Sequence, residues 1–137
     1  MNLKSIIEAG IWRERLSAKF YKKLSGKVKG DLKLLLEYMS VEEMEHEKFL
    51  RNLYKHLFGE ELGQIKSAGE EELPDFEIKT LEELIDIGIE KERESKRYYM
   101  DLFCMVESLE DKEIILQLIN FEDGHLRKLE NAKLKEG

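Results

Sequence analysis

Residues 10–21 read Gly-Ile-Trp-Arg-Glu-Arg-Leu-Ser-Ala-Lys-Phe-Tyr, and residues 88–99 read Gly-Ile-Glu-Lys-Glu-Arg-Glu-Ser-Lys-Arg-Tyr-Tyr. Gly, Ile, Glu, Arg, Ser and Tyr return at the same places, 78 residues apart. The match extends along a stripe that advances in alternating steps of three and four, the spacing of one buried helix face. The first stripe is Leu3, Ile7, Gly10, Glu14, Ser17, Tyr21, Leu24, and the second is Leu81, Ile85, Gly88, Glu92, Ser95, Tyr99, Leu102. A second pair of stripes repeats with a shift of 79: Leu36, Met39, Glu43, His46, Leu50, Leu53, and then Ile115, Leu118, Glu122, His125, Leu129, Ala132. The chain therefore reads as two copies of one helical hairpin, an internal repeat found where packing matters most.

Punctuation between the stripes agrees. Helices are predicted over about 2–25, 31–58, 80–106 and 109–135. Gly26 to Gly30 supplies the first turn, and Ser108-Leu-Glu-Asp111 supplies the last. Thr80-Leu-Glu-Glu83 has the form of a capping box, a threonine at the N-cap and a glutamate three residues on. Gly59, Gly63, Gly69 and Pro74 mark a long connection between the hairpins. At about 3.3 Å per residue its 18 or so residues reach about 60 Å, enough to return along a whole bundle. The predicted fold is all-α, a four-helix bundle of two repeated hairpins with one long crossover, forming a single domain over residues 1–137.

Composition narrows the function. The 137 residues are 39% charged and 42% hydrophobic, a globular balance. A net charge of -7 argues against nucleic-acid binding. One cysteine, Cys104, excludes a disulfide framework and a four-cysteine metal site within these residues. A single proline and a single threonine in a Leu/Glu/Lys-rich alphabet argue against a sheet. No apolar run is long enough to span a membrane. The opening Met-Asn-Leu-Lys-Ser leads straight into the first amphipathic stripe, with no signal peptide readable, so a cytoplasmic location is expected.

The stripes also carry what a core should refuse. Each holds one glutamate at its middle, and two add a histidine one turn later. An unpaired buried carboxylate costs several kcal/mol. Oxygen and imidazole donors that converge at one level suit divalent metals instead. The level can be checked, because facing residues of an antiparallel hairpin lie equally far from its turn. The midpoint of Glu14 and Glu43 falls between Val28 and Lys29, and that of Glu92 and Glu122 falls at Glu107, each at its turn. The predicted ligands are thus Glu14, Glu43, His46, Glu92, Glu122 and His125. Four carboxylates would balance two divalent cations. The bland reading of the same residues is a structural polar layer in a metal-free helical interaction module.

On these residues the chain resembles the ferritin-like di-metal carboxylate proteins, in which two helices each give a Glu and two each give Glu-x-x-His. Glu43-Met-Glu-His46 and Glu122-Asp-Gly-His125 fill the second element. The tyrosines seven residues after Glu14 and Glu92 resemble the rubrerythrin branch. The resemblance covers essentially the whole chain. It implies two iron ions, with manganese or a mixed pair as alternatives, and an oxidoreductase acting on hydrogen peroxide or dioxygen. It also implies bridging roles for Glu43 and Glu122, terminal roles for Glu14 and Glu92, and one metal each for His46 and His125. Tyr21 and Tyr99 would support the ligands. Two departures follow. The lone cysteine leaves no place here for a rubredoxin-type iron, so a separate donor such as a rubredoxin-like protein is implied. Ser95 stands where many relatives have an extra glutamate, which weighs against fast peroxide turnover and keeps iron sequestration as the alternative.

Other residues carry plainer expectations. Gly10, Ser17, Gly88 and Ser95 leave room beside the glutamates or allow close helix packing. Gly124 costs about 1 kcal/mol of helix propensity, with room beside a metal as one reason for it. His56, Glu42, Glu45, Glu47, Glu90 and Glu94 are expected at the surface, with Glu94 the one candidate for an additional ligand. Cys104 is expected as a small buried hydrophobe. A homodimer is expected, with Trp12, which lies off the first stripe, as a candidate face.

Overall fold

The computed structural model describes residues 2–63 and 73–136. Its elements are α1 (Leu3–Ser25), α2 (Gly30–Phe58), α3 (Leu81–Met105) and α4 (Leu109–Glu136), and no strand occurs among the described residues. The helices start and stop within about a residue of the sequence expectation. Of the long connection, residues 64–72 lie outside the described residues.

Local chemistry accounts for the helix ends. The Asn2 side chain accepts a hydrogen bond from the Ser5 amide at 2.8 Å and caps α1. The α1–α2 turn closes with the Gly26 amide donating to Lys23 O and the Lys27 amide to Leu24 O. Gly30 then takes φ 66°, a left-handed conformation that side chains resist. Gly59 ends α2 with φ 71°, its amide donating to Lys55 O at 2.8 Å. At α3 the capping box is complete: the Glu83 amide donates to Thr80 Oγ1 at 3.1 Å, and the Thr80 amide donates to Glu83 Oε1 at 2.9 Å. The Ser108 hydroxyl accepts from the Asp111 amide at the start of α4.

The chain forms two compact units, residues 1–74 and 75–137. In the first, α1 packs antiparallel on α2. The stripe residues Ile7, Tyr21, Leu24, Leu36, Met39 and Leu50 are fully buried. Each large aliphatic side chain so buried contributes about 1.5–3 kcal/mol. Ser40 Oγ donates to Ala18 O at 2.8 Å and ties the two helices together inside the core. At the open end, Lys4 reaches Glu60 at 2.8 Å and lies over the rings of Tyr54 and Phe58. In the second unit α3 packs antiparallel on α4. Ile85, Tyr99, Leu102, Ile115 and Leu129 are fully buried there, and the ion pairs Lys96–Asp123 (2.8 Å) and Lys133–Asp86 (2.6 Å) run along its flank.

Two readings need correction. Cys104 is exposed, not buried. It stands two residues past Leu102, about 200° around the helix, and so faces away from the stripe. Glu47 is half-buried rather than a plain surface charge, for reasons given with the site below. His56, Glu45, Glu90 and Glu94 are exposed as expected, while Glu42 is half-buried. Trp12 is half-buried, with its indole nitrogen enclosed and finding no acceptor among the described residues. A Cβ added at Gly124 would meet nothing within 4 Å, so close packing does not explain this glycine.

Thr80→Ala should lower stability by about 1 kcal/mol in a denaturant titration. The backbone amide of Thr80, and then its hydroxyl, hold the Glu83 carboxyl below its ordinary value of 4.5. A lowered folded pKa stabilises above the unfolded value and loses that contribution as pH falls through the folded one. The Tm gap between wild type and Glu83→Ala should therefore be wide at pH 7 and narrow at pH 3. Gly124→Ala should instead raise stability by about 0.5–1 kcal/mol, because it improves helix propensity where space is open; a drop would show that the glycine serves the backbone.

Candidate metal centre

In the first hairpin Glu14 lies at the middle of α1, and Glu43 and His46 lie one turn apart on α2. Residues spaced by three share a helix face, and α1 packs against that face. All three are buried, with 2%, 0% and 4% of their surface exposed. Nδ1 of His46 stands 3.5 Å from Oε2 of Glu14 and 3.9 Å from Oε1 of Glu43. The second hairpin repeats this with Glu92 on α3 and Glu122 and His125 on α4. Nδ1 of His125 stands 3.6 Å from Oε2 of Glu92, and the three are equally buried. Within each triad, one donor atom per residue falls inside a group spanning no more than 4.8 Å. The midpoint argument from the two turns thus brings together, in each hairpin, the residues it should.

These separations can be tested against a cation. Oxygen and nitrogen donors bind first-row divalent metals at about 2.0–2.2 Å, so two donors on one ion lie about 3–4.4 Å apart. An N–H···O hydrogen bond prefers about 2.9 Å. The observed 3.5–3.9 Å matches donors aimed at a shared point better than closed hydrogen bonds between them. Two carboxylates and an imidazole per hairpin are donors of the kind that can hold a divalent ion. The donor set is oxygen with nitrogen and no sulfur, which suits a first-row divalent metal.

The surroundings differ in what they add. Tyr21 and Tyr99 are fully buried two turns beyond Glu14 and Glu92. Each stacks edge-on against its neighbour, Phe20 or Tyr98, at 5.2 Å between ring centres. Gly10, Ser17, Gly88 and Ser95 are all buried beside the glutamates. Glu94 points to the surface, away from the triad.

Sequence reasoning missed one arrangement. Glu47, the residue after His46, receives Arg15 Nη2 from α1 at 2.9 Å and Arg51 Nε at 2.9 Å. Burial pushes its carboxyl up, but the hydrogen bonds from Arg15 and Arg51 outweigh this and hold it below the usual carboxylate range. Arg51 Nη1 also donates to the carbonyls of Leu62 and Gly63, at 2.9 and 3.1 Å. The network locks α2 to α1 one residue past a candidate ligand and fastens the start of the long connection. The signal was available: Glu47 and Arg51 are four apart on one face, and Arg15 stands near their height on α1. The second hairpin has Arg93 in the place of Arg15 but Leu126 and Glu130 in the other two places, and Arg93 pairs with Glu90 at 3.6 Å instead.

Solved structures share this fold. A structure of a candidate ferritin-like diiron-carboxylate protein from Thermotoga maritima superposes with a TM-score of 0.82. It is 24% identical and covers all of this chain and 97% of the other. A hypothetical protein from Pyrococcus furiosus superposes with a TM-score of 0.78 at 27% identity, covering 97% of this chain and 89% of its own. The fold is thus ferritin-like, a four-helix bundle with a long connection between its two hairpins. No curated protein matches the sequence. The profile of the Rubrerythrin family matches residues 5–133, nearly the full length. This chain belongs to the rubrerythrin family.

Proposed function

We propose that the triad of each hairpin holds metal, and that the protein is a di-iron oxidoreductase reacting with hydrogen peroxide or dioxygen. The observation that carries the reading is the buried Glu-His-Glu triad of each hairpin, repeated at nearly the same distances in both. Family membership supports it. Two bound iron ions would supply the electrons that reduce the oxidant.

The rest is done by the chain. Glu43 and Glu122, both fully buried, would each be a carboxylate ligand in their own hairpin. Glu14 with His46, and Glu92 with His125, would complete the ligand set of each hairpin. Burial at 0–4% exposure keeps bulk water off the donors and strengthens their hold on a cation. Leu36, Met39 and Leu50 fix the α2 backbone around its ligands, and Glu47 with its two arginines fixes the helix rotation. Gly10, Ser17, Gly88 and Ser95 keep the neighbouring turns small, so a two-atom oxidant has space. With a single exposed cysteine and no cysteine-ligated iron in these residues, re-reduction falls to a separate donor.

Ser95 favours a second reading. It is buried where a further carboxylate would stand in many relatives, and the exposed Glu94 does not replace it. The same ligands would then bind and oxidise iron slowly, as in sequestration. Turnover separates the two.

After anaerobic reconstitution the chain should hold about two metals, measured by elemental analysis. Fe(II) or Mn(II) at 100 times Kd should stabilise it by about 2.7 kcal/mol or more. Glu43→Ala should abolish this metal-dependent rise in Tm, and in metal-free buffer it should leave stability equal or higher by removing a buried charge. No bound metal would refute the proposal. The iron-loaded protein should show a visible absorption that bleaches with dithionite and returns on adding peroxide. Repeated return over many cycles supports the oxidoreductase, and a single return followed by iron loss supports sequestration.

A further inference from the structure

Two polar ties bracket the ligands of the first hairpin. One turn before Glu43, the Ser40 hydroxyl donates to Ala18 O at 2.8 Å, inside the core and one turn after Glu14. One turn after Glu43, and next to His46, the Glu47 carboxylate accepts from Arg15, the residue after Glu14, and from Arg51, each at 2.9 Å. Arg51 is held in turn by the carbonyls of Leu62 and Gly63. Sliding or rotating α1 on α2 would break both ties. Together they fix the height and the rotation at which Glu14 meets His46.

The second hairpin has the same ligands without these ties. At the shift of 79, Ile119 stands for Ser40, Leu126 for Glu47 and Glu130 for Arg51. Isoleucine and leucine side chains have no group that could make either bond. Arg93, which stands for Arg15, pairs with Glu90 of its own helix at 3.6 Å, both more than half exposed. Lys96 and Asp123 do join α3 to α4 at 2.8 Å, but at 34% and 39% exposure they form a pair that water and salt weaken. The donors themselves are alike, since Nδ1 to Oε2 is 3.5 Å in one triad and 3.6 Å in the other. The hairpins therefore differ in what holds the donors. Donors fixed beforehand lose less freedom when a cation draws them to one point. Groups that orient metal ligands are worth about 10–100-fold in affinity. Charge works the other way, because two arginines against Glu47 leave one positive charge beside the first triad. Arg15 and Arg51 are 32% and 26% exposed, so that repulsion is screened and positioning decides.

Taking metal to be held as proposed above, we infer that the triad of the first hairpin is the tighter of the two and fills first, with Arg15, Ser40, Glu47 and Arg51 as its positioning residues. The metal-free full chain is titrated with Mn(II) alone, and the free ion is counted by electron paramagnetic resonance. Wild type should bind in two steps about tenfold or more apart. His46→Ala should lose the tight step, and His125→Ala the weak one. The variant E47L/R51E gives α2 the residues of α4 and makes the neighbourhood one charge more negative. Charge alone would then tighten binding, whereas lost positioning should weaken the tight step by about tenfold and leave the weak step in place. Arg15→Ala, which also removes a positive charge, and Ser40→Ala, which removes none, should weaken the same step several-fold. They carry the comparison if the double variant loses its helical circular dichroism. Two equal steps in wild type, or a tight step that survives His46→Ala, overturn the inference and leave the metal reading standing. So does a tight step that strengthens in the variants. So does a urea midpoint that falls while both steps stay put, the mark of a purely structural role. A wild type that binds no Mn(II) overturns the metal reading and this inference together.

Discussion

A buried carboxylate is the constraint on which the rest of this protein depends. Each hairpin encloses two glutamates at 0–2% exposure, where an uncompensated charge costs several kcal/mol. Two features offset this in the fold. Around the glutamates stand fully buried Ile7, Leu24, Leu36, Met39 and Leu50 in one hairpin and Ile85, Leu102, Ile115 and Leu129 in the other. Along the helices, ligation uses residues that do not break them: glutamate is a good helix former, and Glu-x-x-His sets both donors on one face without distorting the backbone. The polar layer can therefore sit mid-helix, held from both sides by apolar turns.

This arrangement couples stability to ligand. Within each triad the histidine stands 3.5–3.9 Å from a carboxylate, the spacing of donors around a shared ion. Any divalent ion held there binds the folded chain and not the unfolded one, so its binding energy adds to folding. The internal repeat sets the same donor types in both hairpins.

How much of this could be read from residues follows from what periodicity reports. A three–four stripe identifies side chains aimed along the core axis, and every stripe residue from Ile7 to Leu24, Leu36 to Leu53 and Ile115 to Leu129 is buried. Helix ends were legible because their chemistry is local, as at Asn2, Thr80 and Gly59. Flanks were not. Glu47 lies about 40° from Glu43 around α2, close enough to be half-covered by α1, yet it was lost among neighbouring glutamates because composition cannot say which charge meets an arginine. Cys104 was misread for the opposite reason, since burial was assigned by residue type and not by phase. Distances within a triad depend on helix rotation and separation, which no spacing rule supplies.

The differences between the two hairpins are as informative as the repeat. Where packing and charge govern, α1 and α3 agree position by position, even to the half-buried Leu3 and Leu81. Where water is the neighbour they part. Glu47 and Arg51 of α2 correspond in the repeat to Leu126 and Glu130 of α4, so the first hairpin alone has the residues that clamp the beginning of the connection through Leu62 and Gly63. That clamp has a structural reason: α2 hands the chain into a long connection, whereas α3 passes to α4 through three residues and needs no fastening. The clamp answers a difference in what each hairpin connects to, which is why it is found in the first and has no counterpart at Leu126 and Glu130.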